Sequence, residues 1–328
     1  MYNFRTDLAN ERRDIYQKAN NLESAIDGIE SEQKEIDSNI KIERVFITNE
    51  NGEKALGKPK GDYITIDIKN LKIAREEQIQ KASDVLTDEL NKILEKHITR
   101  KDEVLVVGLG NIYVTPDSLG PKVINEIDIT RHIQKYMPEV LDENTRNVCG
   151  ISPGVLGTTG METLEIIKGI VDKVKPKLVI VIDSLASRSI ERISSSLQIS
   201  DTGIVPGSGV ENARAELSIN TLGIPVIAIG IPTVVELATL ISEGIDIFID
   251  RLQDKAQSNE CLNKLQEEDK YEEVKEALKV GEYNMVVTPK EIDDLIENMK
   301  DIVARGINQT IVPWFVEKGR EKIVDKEI

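Results

Sequence analysis

The sequence has little from which to build a redox or metal centre. Two cysteines, Cys149 and Cys261, and two histidines, His97 and His132, stand among 328 residues. The cysteines are too few and too far apart for a disulfide framework, which fits a reducing compartment. Neither histidine falls at the end of an apolar strand pattern and no HExxH occurs, so a Ser-His-Asp triad or a histidine-rich zinc site has little support. Aromatic residues make up only 4% of the chain, so any core must be built from Ile, Val, Leu and Ala. No apolar run approaches the roughly 18 residues of a membrane span. Charges occupy the N-terminus where a signal peptide needs its apolar region, and the expectation is an intracellular protein with no membrane association. Positive charge is also short: 42 Lys and Arg face 58 Asp and Glu, for a net charge of −16. A field of that sign, with no basic patch, argues against direct nucleic-acid binding but allows a basic protein partner.

What is present is a strong alternation of aliphatic strands and amphipathic helices. Residues 10–40 are polar, with apolar residues widely spaced, and read as an exposed, loosely docked helix. IKIERVFIT (40–48) and DYITIDI (62–68) alternate, and the Asn-Gly, Gly and Pro punctuation between them predicts a β-hairpin or ribbon over 40–70. Ile79, Leu86, Leu90, Ile93 and Leu94 share one face of a helix expected over 74–96. From residue 103 the pattern becomes βαβ. Strands are expected at EVLVVGLGN, NVCGI, KLVIVIDSLA and IPVIAIGIPT, with helices at 118–136, at METLEIIKGIVDKV, around 211–219 and at VVELATLISEGIDIFIDRL. A ribbon-like SSLQISDTGI lies among them. Continuous aliphatic strands imply a sheet covered on both faces, so the expected fold is a three-layer α/β/α arrangement with a mostly parallel sheet. An N-terminal hairpin and helix extend it, and 253–285 reads as an acidic, helical surface excursion. Thr288 and Pro289 then cap and start a last helix.

In open parallel sheets, ligands sit beyond the carboxyl ends of the strands. Two acidic residues fall there: Asp117 after GLGNIYVTP, and Asp183, which ends KLVIVID. Brought close in a partly dry cleft, two carboxyls do not both ionise cheaply, and such a pair can serve as general base and general acid. The plainer alternative is that each caps the turn that follows it. Gly108-Leu109-Gly110 opens like a dinucleotide fingerprint, but Tyr113 stands where the third glycine belongs. SPGVLGTTGMET lacks the Gly-Lys-Ser/Thr ending of a phosphate loop and reads as a tight backbone approach to an extended chain or to the carboxylates. VPGSGVENAR is a turn, or an anion site at a helix start. Thr158, Thr159, Ser184 and Ser187 lack an identifiable base, and Cys149 reads as buried.

The segments GLGNIYVTPDSLGPKV, SPGVLGTTGMET, VIVIDSLASRS, VPGSGVENARAELS and LGIPVIAIGIPTVV, with NMVVTPKEID further on, occur in this order. Together they resemble the germination proteases of spore-forming bacteria, from about residue 100 onwards. That family in turn resembles the hydrogenase maturation proteases, with which it shares a three-layer α/β fold and a GxGN opening.

The resemblance implies an endopeptidase that degrades small acid-soluble spore proteins in the germinating spore core. It implies an atypical aspartic-type mechanism whose two carboxylates are Asp117 and Asp183. Gly110, Asn111, Gly154, Gly157, Thr158, Thr159 and Gly160 are the residues expected to position the peptide. The maturation proteases use a metal with carboxylate and histidine ligands. No histidine falls at such a place here, so neither metal nor other cofactor is expected, and a metal-dependent protease or an anion- or nucleotide-binding module stays as the alternative. The resemblance also implies a homotetrameric zymogen that removes a short N-terminal segment. Its cleavage order is an acidic residue, then a large apolar one, then alanine. RTDLA near the N-terminus has that order in Asp7, Leu8 and Ala9. Read locally, it is the frayed first turn of a helix capped by Thr6 or Asp7. Read through the resemblance, residues 1–7 are a propeptide cut at Asp7–Leu8, and 8–328 form one peptidase domain.

Overall fold

The computed structural model describes residues 6–20, 22, 26–141, 145–207, 214–242, 244–245, 274 and 285–312. The expected acidic excursion at 253–285 therefore lies almost wholly outside the described residues.

In chain order the elements are α1 (Ala9–Ala19), β1 (Ile29–Glu35), β2 (Ile40–Ile47), α2 (Glu50–Leu56), β3 (Gly61–Ile68) and α3 (Glu76–Leu94). Next come β4 (Val104–Gly108), α4 (Leu119–Ile124), α5 (Arg131–Tyr136), β5 (Val148–Ile151), α6 (Leu156–Thr159), α7 (Thr163–Val174), β6 (Leu178–Ser187) and β7 (Ser196–Ser200). After these follow α8 (Ile219–Leu222), β8 (Val226–Glu236), β9 (Val286–Val287) and α9 (Ile292–Ile311). The strands form one sheet in the order β1-β2-β3-β7-β8-β6-β4-β5, with β9 paired to the far end of β8. Strands β8, β6, β4 and β5 run parallel, as expected of βαβ units. The ribbon β2–β3 is not a separate appendage. It joins the block antiparallel through β3 and β7, so the sheet is mixed.

Alternation along the strands separates two faces. Ile40, Ile42, Ile64, Ile66, Val104, Val106, Ile180 and Ile182 pack under α3, α4 and α9, in the largest core. On the opposite face, Leu105, Val107, Val179 and Val181 meet Ile167 and Val171 of α7. Val45, Ile47 and Tyr63 meet Ala9 of α1 and Leu56 of α2. The three-layer expectation holds. Each buried aliphatic side chain contributes about 1.5–3 kcal/mol, which lets the Ile- and Val-rich strands manage with few aromatics.

Several local expectations are corrected. The exposed helix expected over 10–40 stops at Ala19, and β1 follows as an edge strand with only Ile29 buried. Its charged residues suit a solvent-facing edge. The β2–β3 link contains α2, capped by Asn49, whose side chain accepts the N–H groups of Asn51 and Gly52. The single helix at 118–136 is broken between α4 and α5, where Thr130 turns to bond β5: its hydroxyl accepts the Val148 N–H at 2.8 Å. Of the helix expected around 211–219, residues 211–213 lie outside the described residues, 214–217 are not helical, and α8 starts after Ser218. Strand β8 runs on to Glu236, so helix begins at 237 rather than 234. Thr288 does not cap α9; Glu291 precedes that helix, and the Thr288 hydroxyl donates to the Thr233 carbonyl instead.

Candidate active site

Asp183 is not at the end of its strand. β6 continues four residues further, to Ser187, and pairs with β8 across a register shift between Leu185 and Ala186. Asp183 lies on the face of β6 shared by Val179 and Val181, and it is buried, with 5% of its surface exposed. Its Oδ1 accepts the Ser184 N–H at 2.9 Å. Burial pushes its pKa well above the ordinary carboxylate value, the nearby Asp117 pushes it further, the Ser184 N–H opposes, and Asp7 adds to the rise.

Asp117 ends a short 3-10 turn, Thr115–Asp117, just before α4. Two close approaches place it. The carbonyl of Gly120 in α4 packs so tightly on Gly108 of β4 that a Cβ on Gly108 would lie 2.2 Å from it. Gly110 has φ +115°, and a Cβ there would meet the Asp117 carbonyl oxygen at 2.0 Å. The chain therefore folds back on the strand end only because glycines stand there. The Asn111 N–H then donates to Asp117 Oδ2 at 2.8 Å. Burial raises the Asp117 pKa and this hydrogen bond opposes the rise.

These residues line a cleft of about 460 Å³. Gly110, Asn111, Asp117, Gly154, Gly157 and Asp183 all meet there, together with Asp7. Thr158, Thr159 and Gly160 do not. The two hydroxyls donate to the Val155 carbonyl and hold the α6 turn, which Gly160 ends with φ +70°. Sequence reasoning missed Glu162, Val205, Val234 and Arg214, which also line the cleft. Among the described residues, no group of three or more His, Cys, Asp or Glu side chains is arranged to hold a metal ion. Cys149, expected to be buried, is half-buried, and that burial still pushes its thiol up to about 11, which leaves it a poor nucleophile.

The segment 6–9 is the main surprise. It is not frayed: Thr6, Asp7, Leu8 and Ala9 are all buried. Neither Thr6 nor Asp7 caps α1, whose N-cap is Leu8. Asp7 pairs with the end of β6 in both directions. Its N–H donates to the Ala186 carbonyl at 3.0 Å, and its Oδ2 accepts the Ala186 N–H at 3.0 Å. Gln198 of β7 spans the Asp7–Leu8 bond. Its Nε2 donates to the Asp7 carbonyl at 3.3 Å and its Oε1 accepts the Ala9 N–H at 2.7 Å. Asp7 is thus tied to the end of β6 and to Gln198 of β7, in the same cleft as the Asp117 and Asp183 carboxyls.

A model of the family described as "Germination protease" matches residues 6–264 and 251–318. The chain belongs to the germination protease family. Germination proteases of Clostridium perfringens (strain ATCC 13124) are 44% identical over 99% of this chain and 100% of their own length. That of Clostridium acetobutylicum is 45% identical over 95% of this chain and 96% of its own, and that of Bacillus cereus (strain B4264) 38% over 94% of each. A solved [NiFe] hydrogenase maturation protease from Thermococcus kodakarensis is 19% identical, over 43% of this chain and 80% of that one, at a TM-score of 0.27. Membership of the germination protease family makes the chain a peptidase of spore germination, and the match runs through both the Asp117/Asp183 cleft and the docked segment at Asp7.

Proposed function

We propose that the chain is an endopeptidase that hydrolyses peptide bonds with Asp117 and Asp183, and that it first cuts itself at Asp7–Leu8. The observation that carries this reading is the meeting of Asp7, Asp117 and Asp183 in one cleft. Asp183, the more deeply buried and the one whose pKa is raised further by its neighbour, is assigned the role of proton donor, and Asp117 that of the carboxylate. Each has one oxygen bound by a backbone N–H, which leaves the other to face the reaction.

In the first step the Asp117 carboxylate takes a proton from water, and the water oxygen bonds to the peptide carbonyl carbon. Asp183 gives its proton to the carbonyl oxygen. In the second step Asp117 passes its proton to the nitrogen as the C–N bond breaks, and Asp183 recovers a proton from one of the two hydroxyls. Atoms and charges return to the starting state, with a new carboxyl and a new amine.

Residues 1–7 are then a propeptide and 8–328 the peptidase domain. The substrates are the small acid-soluble spore proteins of the germinating spore core, and the working assembly is a homotetramer. Asp117→Asn and Asp183→Asn should each lower the cleavage of such a substrate by roughly 10²–10⁴-fold while leaving the fold intact. Unchanged rates in folded variants would overturn the mechanism. Mass spectrometry of the purified chain after mild acidification should show loss of residues 1–7. Active enzyme that still carries them would overturn the self-cleavage.

A further inference from the structure

Asp7 stands between two cavities. On one side is the cleft of Asp117 and Asp183; on the other is a cavity of about 190 Å³ lined by Arg12, Lys58, Tyr63, Gln198 and Glu216. Two of these residues are cations. Among the described residues neither Arg12 nor Lys58 forms an ion pair. The Arg12 guanidinium spends its donors on neutral carbonyls: Thr6 at 2.9 Å from Nε, and Leu56 and Gly57 at 3.0 and 3.3 Å from Nη1. Lys58 is half-buried, its ammonium 5.2 Å from the centre of the Tyr63 ring. The pKa of Lys58 is pushed down to about 8, by burial first and by Arg12 next, and Asp7 is the one group that works against that fall. Asp7 likewise favours the charged form of Arg12 against its burial.

The other polar groups of this cavity are already engaged. The Tyr63 hydroxyl donates to the Pro59 carbonyl at 2.8 Å and accepts from Thr202 at 3.1 Å. Glu216, the second acidic residue of the wall, has its Oε1 held by the Ser218 hydroxyl at 2.8 Å, and of the two carboxylates it is Asp7 that acts on Arg12 and Lys58. Two half-buried positive charges are thus left with one shared carboxylate, that of residue 7. If Thr6 and Asp7 depart, Arg12 loses its Thr6 acceptor and both cations lose their counter-charge, while Arg12 and Lys58 remain. A buried cation without a partner is costly, so an incoming carboxylate side chain gains what the departed one gave.

We propose that Arg12 and Lys58 are specificity-determining residues that select an acidic side chain immediately before the cut bond, both in this chain and in its substrates. The inference rests on the reading of Asp7–Leu8 as the bond cut in this chain. The test is a pair of peptides identical except for Glu or Gln at the position before the cut, with kcat/KM measured for each by the processed enzyme. The unaltered enzyme should favour the Glu peptide by roughly 10–100-fold. Lys58→Met and Arg12→Gln should each pull that ratio towards one, chiefly through KM for the Glu peptide, and Lys58→Arg should restore it. Lys58→Met removes no hydrogen bond from the fold, so it carries the test if Arg12→Gln fails to fold. A Glu-to-Gln ratio that stays as in the unaltered enzyme in Lys58→Met overturns the inference while leaving the Asp7–Leu8 reading intact. An unaltered enzyme that cuts neither peptide, nor its own Asp7–Leu8 bond, overturns both.

Discussion

Asp183 is held where ionisation is unfavourable, and that has a cost in stability. The folded chain binds this proton more tightly than the unfolded chain does. The resulting stability is therefore complete below the ordinary value of 3.8 and is lost as pH rises through the raised folded value. Asp183→Asn has no charge at any pH and still accepts the Ser184 N–H. It should melt at a higher temperature than the parent at neutral pH, and the gap should close near pH 3, as read by thermal denaturation. Gly110 makes the opposite case. Gly110→Ala forces a side chain onto the Asp117 carbonyl at positive φ, so it should cost about 1–3 kcal/mol in chemical denaturation and disable the cleft as well.

At the level of elements, helix and strand identity was largely readable, because runs such as KLVIVID and IPVIAIG are too aliphatic to lie on a surface. Their ends were less so. β6 and β8 run past Asp183 and Pro232 because each continues to find a partner in the other, and pairing is not a property of either stretch alone. The pair Asp117 and Asp183 could be found from strand topology. Arg12, Lys58 and Gln198 could not, since they border the site only once β2, β3 and β7 extend the parallel block on the α1 side. The same distance hides the docking of RTDLA: Ala9 meets Gln198, 189 residues away in sequence, and Asp7 meets Ala186, 179 away. If Gln198 positions the Asp7–Leu8 bond, Gln198→Ala should slow self-cleavage by roughly 10–100-fold, measured as the rate of mass loss, with little change in melting temperature. The α3–α9 contact offers a check on packing alone. A Cβ on Gly306 would lie 2.6 Å from Leu86 Cδ2, so Gly306→Ala should destabilise the chain by about 1–3 kcal/mol without touching the cleft.

Across the whole molecule the sheet terminates in two unlike ways. At one end β5 is short, and Thr130 occupies its outer backbone by bonding Val148 through both main chain and side chain. At the other, β1 exposes Glu30, Glu32, Lys34 and Glu35 along seven residues of strand. Among the described residues, a strand added at either end would have to displace Thr130 from Val148 or lie along a charged row. Both described edges therefore work against copies of this chain joining edge to edge into a longer sheet. Subunits that share no sheet can separate without unravelling a common hydrogen-bond ladder.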